Sequence, residues 1–513
     1  MAGPLRVDEV VFAKNNVQIM MKNEPNSMVD GYLTIKKRVR SAGRMCSPPC
    51  SPPPSLTAHW IPNEKLARSI HSDGGYTFTV DLGKMRSLRL FYDNDKAKGQ
   101  LVIASRENHF KVLHFPHGGL TQLLAVLQEW SLCSEQIGKP GKEKETDGHM
   151  RTFIIQQVAL TDEQYHPEEG MFVRLAIDTW QAFHDSNGAV LNSSLIRRIV
   201  FFAGVDDAAR PLVWPFLFGF YSFNSTREER LIVYRSKEEE FKEIERERIS
   251  FLSECNEPSI RQVLRKLECD VLRTDRSSPF YSGEGNPNVE CLRELLLNYT
   301  VYDKEMSYTQ GMSDLLSPIL SVLQDKVISF WCFTELMKKS QFLSSPKQAI
   351  SAHLVMLREL IRLLLPEFYH HLALSSESME LVFCHRWFLL FFKREFNESD
   401  LLTLWECLWS GHLTEHFHLF IALAIIGVYG YDVLERRLPA DEMLMHFTEQ
   451  AKSMSSSLVL NHARGFLHQL SQYKLLPCSL ESLVKQSKIW EDSERPSLVC
   501  SQQCEHTKAT LVV

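Results

Sequence analysis

The chain has 513 residues, of which 44% are hydrophobic and 23% charged, and a formal net charge of −6. That length can bury more than one core, and the composition is that of an ordinary globular protein. The acidic balance excludes a general nucleic-acid binder, which would carry a clear excess of Lys and Arg. No apolar run approaches the roughly 18 residues of a membrane helix. The nearest, LFIALAIIGVYG at Leu419–Gly430, reads as a buried helix. The opening MAGPLRVDEVVFAKNN has no apolar signal core, so a cytoplasmic protein is expected. The twelve cysteines are scattered, several within apolar runs (Cys332, Cys384, Cys407), as small hydrophobes in a reducing compartment would be.

The first 135 residues read as strands. VVFAKNNVQIM carries two apolar runs around Asn15-Asn16, a hairpin-like turn signal. YTFTVDL alternates Tyr76, Phe78, Val80 and Leu82 on one face. SLRLFY and QLVIASRENHFKVLHF follow, separated by DNDKAKG. After Gly118-Gly119 the period changes, and Leu120, Leu123, Leu124, Leu127 and Trp130 take helical spacing. Several antiparallel strands closed by one amphipathic helix outline a pleckstrin-homology-like (PH-like) domain. Within it KKRVRSAGRMCSPPCSPPPS is rich in Pro and Ser, and a disordered loop is expected over 38–55. Its basic residues could also favour an anionic membrane surface. Residues 136–167 read as a linker with a possible strand, 168–475 as helical, and 476–513 as a flexible tail.

His412-Leu-Thr-Glu415-His416 fits the H-x-x-E-H pattern of one class of zinc peptidases. Such short patterns recur by chance in a chain with 19 histidines, and no metal site is expected there. Phosphate-binding G-x-x-x-x-G-K-[ST] and G-x-G-x-x-G runs are missing, so the chain is expected to hold no nucleotide of its own. Three polar islands interrupt the apolar helices. They are KLECDVLRTDRSS with Asp270, Arg273 and Arg276; SYTQGMSDLLSP with Tyr308, Gln310 and Asp314 around Gly311; and CHRWFLLFFKREF with Arg386, Lys393, Arg394 and Glu395. A buried charge without a partner is costly, so each island must be internally paired or exposed in a groove. Residue chemistry alone favours structural ion pairs, above all between Asp270 and Arg273, three apart on one helical face.

Two of these islands also carry a resemblance. L-x-x-D-x-x-R-T at Leu267–Thr274 and Y-x-Q-G at Tyr308–Gly311 resemble, in order, the two signature motifs of TBC-domain Rab GTPase-activating proteins. GVDDAARPLVWPFLFGFY, from Gly204, is similar to that family's domain opening, with Arg210 and Trp214 in their usual places. FWCF (Phe330–Phe333), RWFLLFFKREF (Arg386–Phe396) and Trp405-Glu406 match further downstream. Leu267 departs from the usual Ile, and Cys269 from the usual polar residue.

The resemblance implies a multidomain α+β chain: an all-α helical TBC domain, its core over 204–412, preceded by the β-rich PH-like domain. It implies a GTPase activator, not itself a GTPase, with Arg273 as an arginine finger and Gln310 as a glutamine finger. Asp270, Thr274, Tyr308 and Gly311 would support these two, while Arg210, Trp214 and Arg386 would hold the scaffold. The chain would need no cofactor or metal of its own, because Mg-GTP is carried by the partner, a GTP-bound Rab small GTPase. An endosomal recycling Rab is expected, a Rab4-like GTPase first, with peripheral contact to endosomal membranes. The alternative is a non-catalytic Rab-binding scaffold.

Overall fold

The computed structural model describes residues 6–20, 28–40, 55–63, 78–85, 87–93, 98–104, 110–130, 133–135, 150–155, 164–254, 258–304, 308–339, 346–491 and 494–500. The chain divides into two compact units at 162/163.

The first unit is built on nine antiparallel strands: β1 (Arg6–Met20), β2 (Met28–Arg40), β3 (Ser55–Pro62), β4 (Phe78–Asp81), β5 (Ser87–Tyr92), β6 (Gly99–Ala104), β7 (Phe110–Phe115), β8 (Cys133–Glu135) and β9 (Met150–Ile155). Their order is β4-β3-β2-β1-β7-β6-β5-β9-β8, two meanders joined where β1 meets β7. Helix α1 (Leu120–Glu129) follows β7 and buries Leu120, Leu123 and Leu127 against the sheet, as the change of period predicts. This is the expected β-rich, PH-like outline, extended by β8 and β9 along the β5 edge. The segment expected as a linker with a possible strand thus supplies β9, with Phe153 and Ile155 buried.

Two local expectations are corrected. Asn15-Asn16 is no hairpin turn: β1 runs straight through it. The register slips by one residue between Lys14↔Leu33 and Val17↔Gly31, and Asn16 sits at φ 57°. Asparagine tolerates the left-handed region equally well in a turn and in a β-bulge, so the dipeptide alone could not distinguish them. Residues 38–40, expected in the loop, belong to β2 and pair with β1, while 41–54 lie outside the described residues. On the next strand Trp60 is fully buried, and its indole N–H donates to the Val17 carbonyl at 3.0 Å.

The second unit is helical. Its first layers are α2 (Ser193–Ala203), α3 (Arg210–Phe218), α4 (Arg227–Glu254), α5 (Pro258–Val271), α6 (Pro287–Tyr302) and α7 (Met312–Leu323). Later come α8 (Pro346–Leu364), α9 (Val382–Leu389), α10 (Glu398–Trp409), α11 (Phe417–Tyr429) and α12 (Ser456–Ser471). Helix α11 is apolar all round because it is enclosed all round, packed between α8 and α12. Among the described residues no helix is long and apolar enough to cross a membrane. The expected tail from 476 is corrected over its first part. Leu476, Leu480, Leu483, Val484 and Trp490 are buried, and Leu475–Pro477 pairs in parallel with Ser497–Val499.

Candidate functional site

Helix α5 is amphipathic, and its last turn buries Leu267, Asp270 and Val271. The helix ends at Val271, so Arg273 stands in the following turn, its N–H bonded to the Asp270 carbonyl at 3.2 Å. The Arg273 side chain is 57% exposed, yet its guanidinium ion-pairs with Oδ1 of Asp270, whose side chain is only 6% exposed. The other oxygen, Oδ2, accepts from the Tyr308 hydroxyl at 2.6 Å. One buried carboxylate therefore holds both motifs together. Thr274 adds a second link, donating to its own helix at the Asp270 carbonyl (2.7 Å) and meeting the Ser313 hydroxyl at 2.8 Å. Burial, reinforced by the bond to Asp270, raises the Tyr308 phenol well above its ordinary range and keeps it a neutral donor.

Gln310 is exposed two residues after Tyr308. Gly311 follows at φ 99°, in the left-handed region, and serves as N-cap of α7. A Cβ there would lie 2.6 Å from Leu390 Cδ2. Glycine is thus required by conformation and by space, and the backbone reversal it permits sets the segment carrying Gln310 at the surface.

The polar islands pair with one another across the fold. Asp275, itself at φ 47°, accepts through Oδ2 from Ser317 and from the Lys393 ammonium, both at 2.6 Å. Arg394 donates to Asp314 at 2.8 Å. Arg386 grips the fully buried Glu395 with two bonds, of 2.8 and 2.9 Å. Burial raises the Glu395 carboxyl, and Arg386 pulls it back. Phe391 and Phe392, between these charges, sit at φ 45° and 63°, a conformation bulky residues avoid unless their surroundings impose it. The Trp405 indole N–H supplies part of that constraint by donating to the Phe391 carbonyl at 2.8 Å.

Arg210 and Trp214 belong to a separate centre. Arg210 Nε donates to Glu406 Oε1 at 2.6 Å, and the Trp214 indole N–H donates to the same oxygen at 3.1 Å. Oε2 accepts the Val205 amide at 2.9 Å, and Arg210 also reaches Asp207. Glu406 is completely buried, which raises its carboxyl against the pull of Arg210. This centre ties α3 to α10 and, among the described residues, shares no hydrogen bond with the Arg273 network.

Sequence reasoning named Arg273, Gln310 and their motif neighbours but missed the cross-links Asp275–Lys393 and Asp314–Arg394, and Leu390 against Gly311. Their only signal was the density of charge inside apolar helix. The H-x-x-E-H run forms no helix: residues 411–416 are extended or in turns, and His412 packs against Phe201 and Phe202.

Arg273 and Gln310 are thus both exposed on one helical unit, and the buried Asp270 carboxylate links the Arg273 turn to Tyr308, two residues before Gln310. Residues 207–434, within the helical unit, match the family model for the Rab-GTPase-TBC domain. The chain is 43% identical to human (Homo sapiens) TBC1 domain family member 16 over 429 residues, 83% of this chain and 56% of that protein. Mouse (Mus musculus) TBC1 domain family member 17 is 32% identical, over 65% of this chain and 52% of that one. The GTPase-activating protein gyp7 of Schizosaccharomyces pombe is also 32% identical, over 58% of this chain and 42% of that one. The chain spans about half the length of the curated relatives it matches.

Proposed function

We propose that this protein is a GTPase-activating protein for a Rab-family small GTPase, with Arg273 and Gln310 acting in trans. The observation that carries the reading is the shared Asp270 carboxylate, which links the Arg273 turn to the Tyr308 segment that leads into Gln310. GTP hydrolysis on a small GTPase is slow because charge developing around the transferred phosphoryl group is poorly stabilised. An arginine lent by the activator neutralises that charge, and accelerations of about 10³–10⁵-fold are typical. Arginine suits the task because it is always charged and offers a planar fork of donors. An exposed amide such as Gln310 can orient the attacking water without changing its own protonation. Nucleotide and Mg²⁺ are brought by the GTPase, and this chain contributes no cofactor. The relatives named as GTPase-activating proteins support the same reading.

For the partner we propose an endosomal recycling Rab, a Rab4-like GTPase first, met by a cytoplasmic protein on the membrane surface. The test is multiple-turnover GTP hydrolysis over a panel of Rab proteins with wild type, Arg273→Lys and Gln310→Ala. Stimulation by wild type and its loss in both variants is the expected result. Stimulation unchanged in Arg273→Lys would remove the finger assignment, and binding without acceleration across the panel would leave a scaffold.

A further inference from the structure

Three histidines from distant parts of the sequence meet inside the helical unit. His353 lies on α8, His416 immediately precedes α11, and His418 is the second residue of α11. One ring nitrogen from each lies within 4.8 Å of the others. The ring centroids are 4.8 Å apart for His353–His418, 5.8 Å for His353–His416 and 5.9 Å for His416–His418. All three pairs are tilted near 50°, neither stacked nor edge-on. His416 and His418 are buried and His353 is half-buried.

The second feature is how the rings are backed. His416 Nε2 meets the Ser482 hydroxyl at 3.3 Å, and His418 is hydrogen-bonded to the Glu415 backbone. Bonds of this kind fix a ring's orientation and tautomer at metal centres. The other nitrogen of His416, Nδ1, is buried and has no hydrogen-bond partner within 3.5 Å among the described residues, and the Gln486 side chain also neighbours this ring. A buried polar atom left unsatisfied is destabilising, and a cation would relieve it.

We propose that His353, His416 and His418 form a site for one divalent transition-metal ion of the zinc class, bound through three imidazole nitrogens. Imidazole suits zinc, and Ca²⁺ or Mg²⁺ would require oxygen ligands. With Zn–N bonds of about 2.0–2.1 Å, two nitrogens on a tetrahedral ion stand roughly 3.3 Å apart. The widest separation must therefore close by about 1.5 Å. Small rotations of the three histidine side chains would supply that closure. The bound ion joins α8 to the start of α11 and, through Ser482, to the segment after α12. It shares no residue with the Arg273 network, so its role is to brace the fold.

The test uses the full chain, stripped of metal by chelation and titrated with Zn²⁺ or Co²⁺. One ion per chain is expected, with a cobalt spectrum of nitrogen ligation lacking a sulfur-to-metal charge-transfer band, which separates this site from the cysteines. Zinc should raise the thermal midpoint of wild type and not that of His353→Gln. Affinity should fall about tenfold or more in His353→Gln and again in His416→Gln. His353→Gln, at the least buried position, decides the matter if the buried variant fails to fold. Equal affinity in wild type and His353→Gln, a thiolate spectrum, or no binding at micromolar free zinc would overturn the proposal.

Discussion

The ion pair Arg273–Asp270 is one contact with two unequal ends, and replacing each end by alanine separates them. In Asp270→Ala the buried Tyr308 hydroxyl loses its acceptor at 2.6 Å. Leaving such a group unsatisfied costs about 1–3 kcal/mol, and a hydrogen bond to a charged partner lies near the upper end. In Arg273→Ala, Asp270 keeps Tyr308, and the space vacated by a side chain 57% exposed admits water to Oδ1. The loss is then that of an exposed ion pair, about 0–1 kcal/mol. Denaturant unfolding followed by fluorescence reads both numbers. GTP hydrolysis by a partner Rab reads the other quantity, where Arg273→Ala should remove about 10³-fold or more of the stimulation. The variant that matters least to the fold should thus matter most to the reaction. Equal destabilisation by the two substitutions would refute the reasoning and make Arg273 a structural residue.

Gly311→Ala should destabilise by about 1–3 kcal/mol through its left-handed backbone and lower the stimulation. Adding Leu390→Ala removes the 2.6 Å clash and should restore part of the loss. Glu406→Ala leaves Arg210 buried without its main partner and should cost about 3–5 kcal/mol in unfolding experiments. The soluble fraction should keep its activity, because Glu406 lies outside the Arg273 network. Burial lowers His412 and His462 to about 4 and His166 to about 3, so all three are neutral in the fold. Below about pH 6.5 the unfolded chain binds protons that the fold refuses. Stability should therefore be full above that pH and fall toward pH 4, by up to about 1.4 kcal/mol per pH unit for each histidine. Denaturation midpoints across pH 4–7 check this, and His462→Gln should flatten the slope.

Local patterns were legible wherever one period dominated. The strands from Ser87 to Phe115 and the helix after Gly119 follow directly from alternation and then helical spacing. The two signature motifs were equally plain, because their spacing is local. Asn15-Asn16 misled because a turn and a bulge ask the same backbone freedom of one residue. The segment after α12 read as a tail because its few apolar residues, Leu480, Leu483, Val484 and Trp490, are diluted by serine and charge. Asp275–Lys393, Asp314–Arg394 and the meeting of His353 with His416 and His418 could not be read from spacing. Each joins residues brought together only by packing of helices far apart in sequence. The islands were expected to be internally paired or exposed. Asp270–Arg273 and Arg386–Glu395 are internal pairs as expected, whereas Asp275–Lys393 and Asp314–Arg394 join different islands, an answer that needs the tertiary fold.

Asp270 has two oxygens and two claimants, and this arrangement has a consequence for timing. A free arginine side chain loses about 2 kcal/mol of rotamer freedom when it is fixed. Held against Asp270 Oδ1, Arg273 has given up part of that freedom before any partner arrives. In the proposed reaction it swings from one anion to another, and Tyr308 keeps hold of the carboxylate it leaves behind. In that proposed reaction the contact would be a berth, shortening the search on departure and receiving the same side chain back when the product is released.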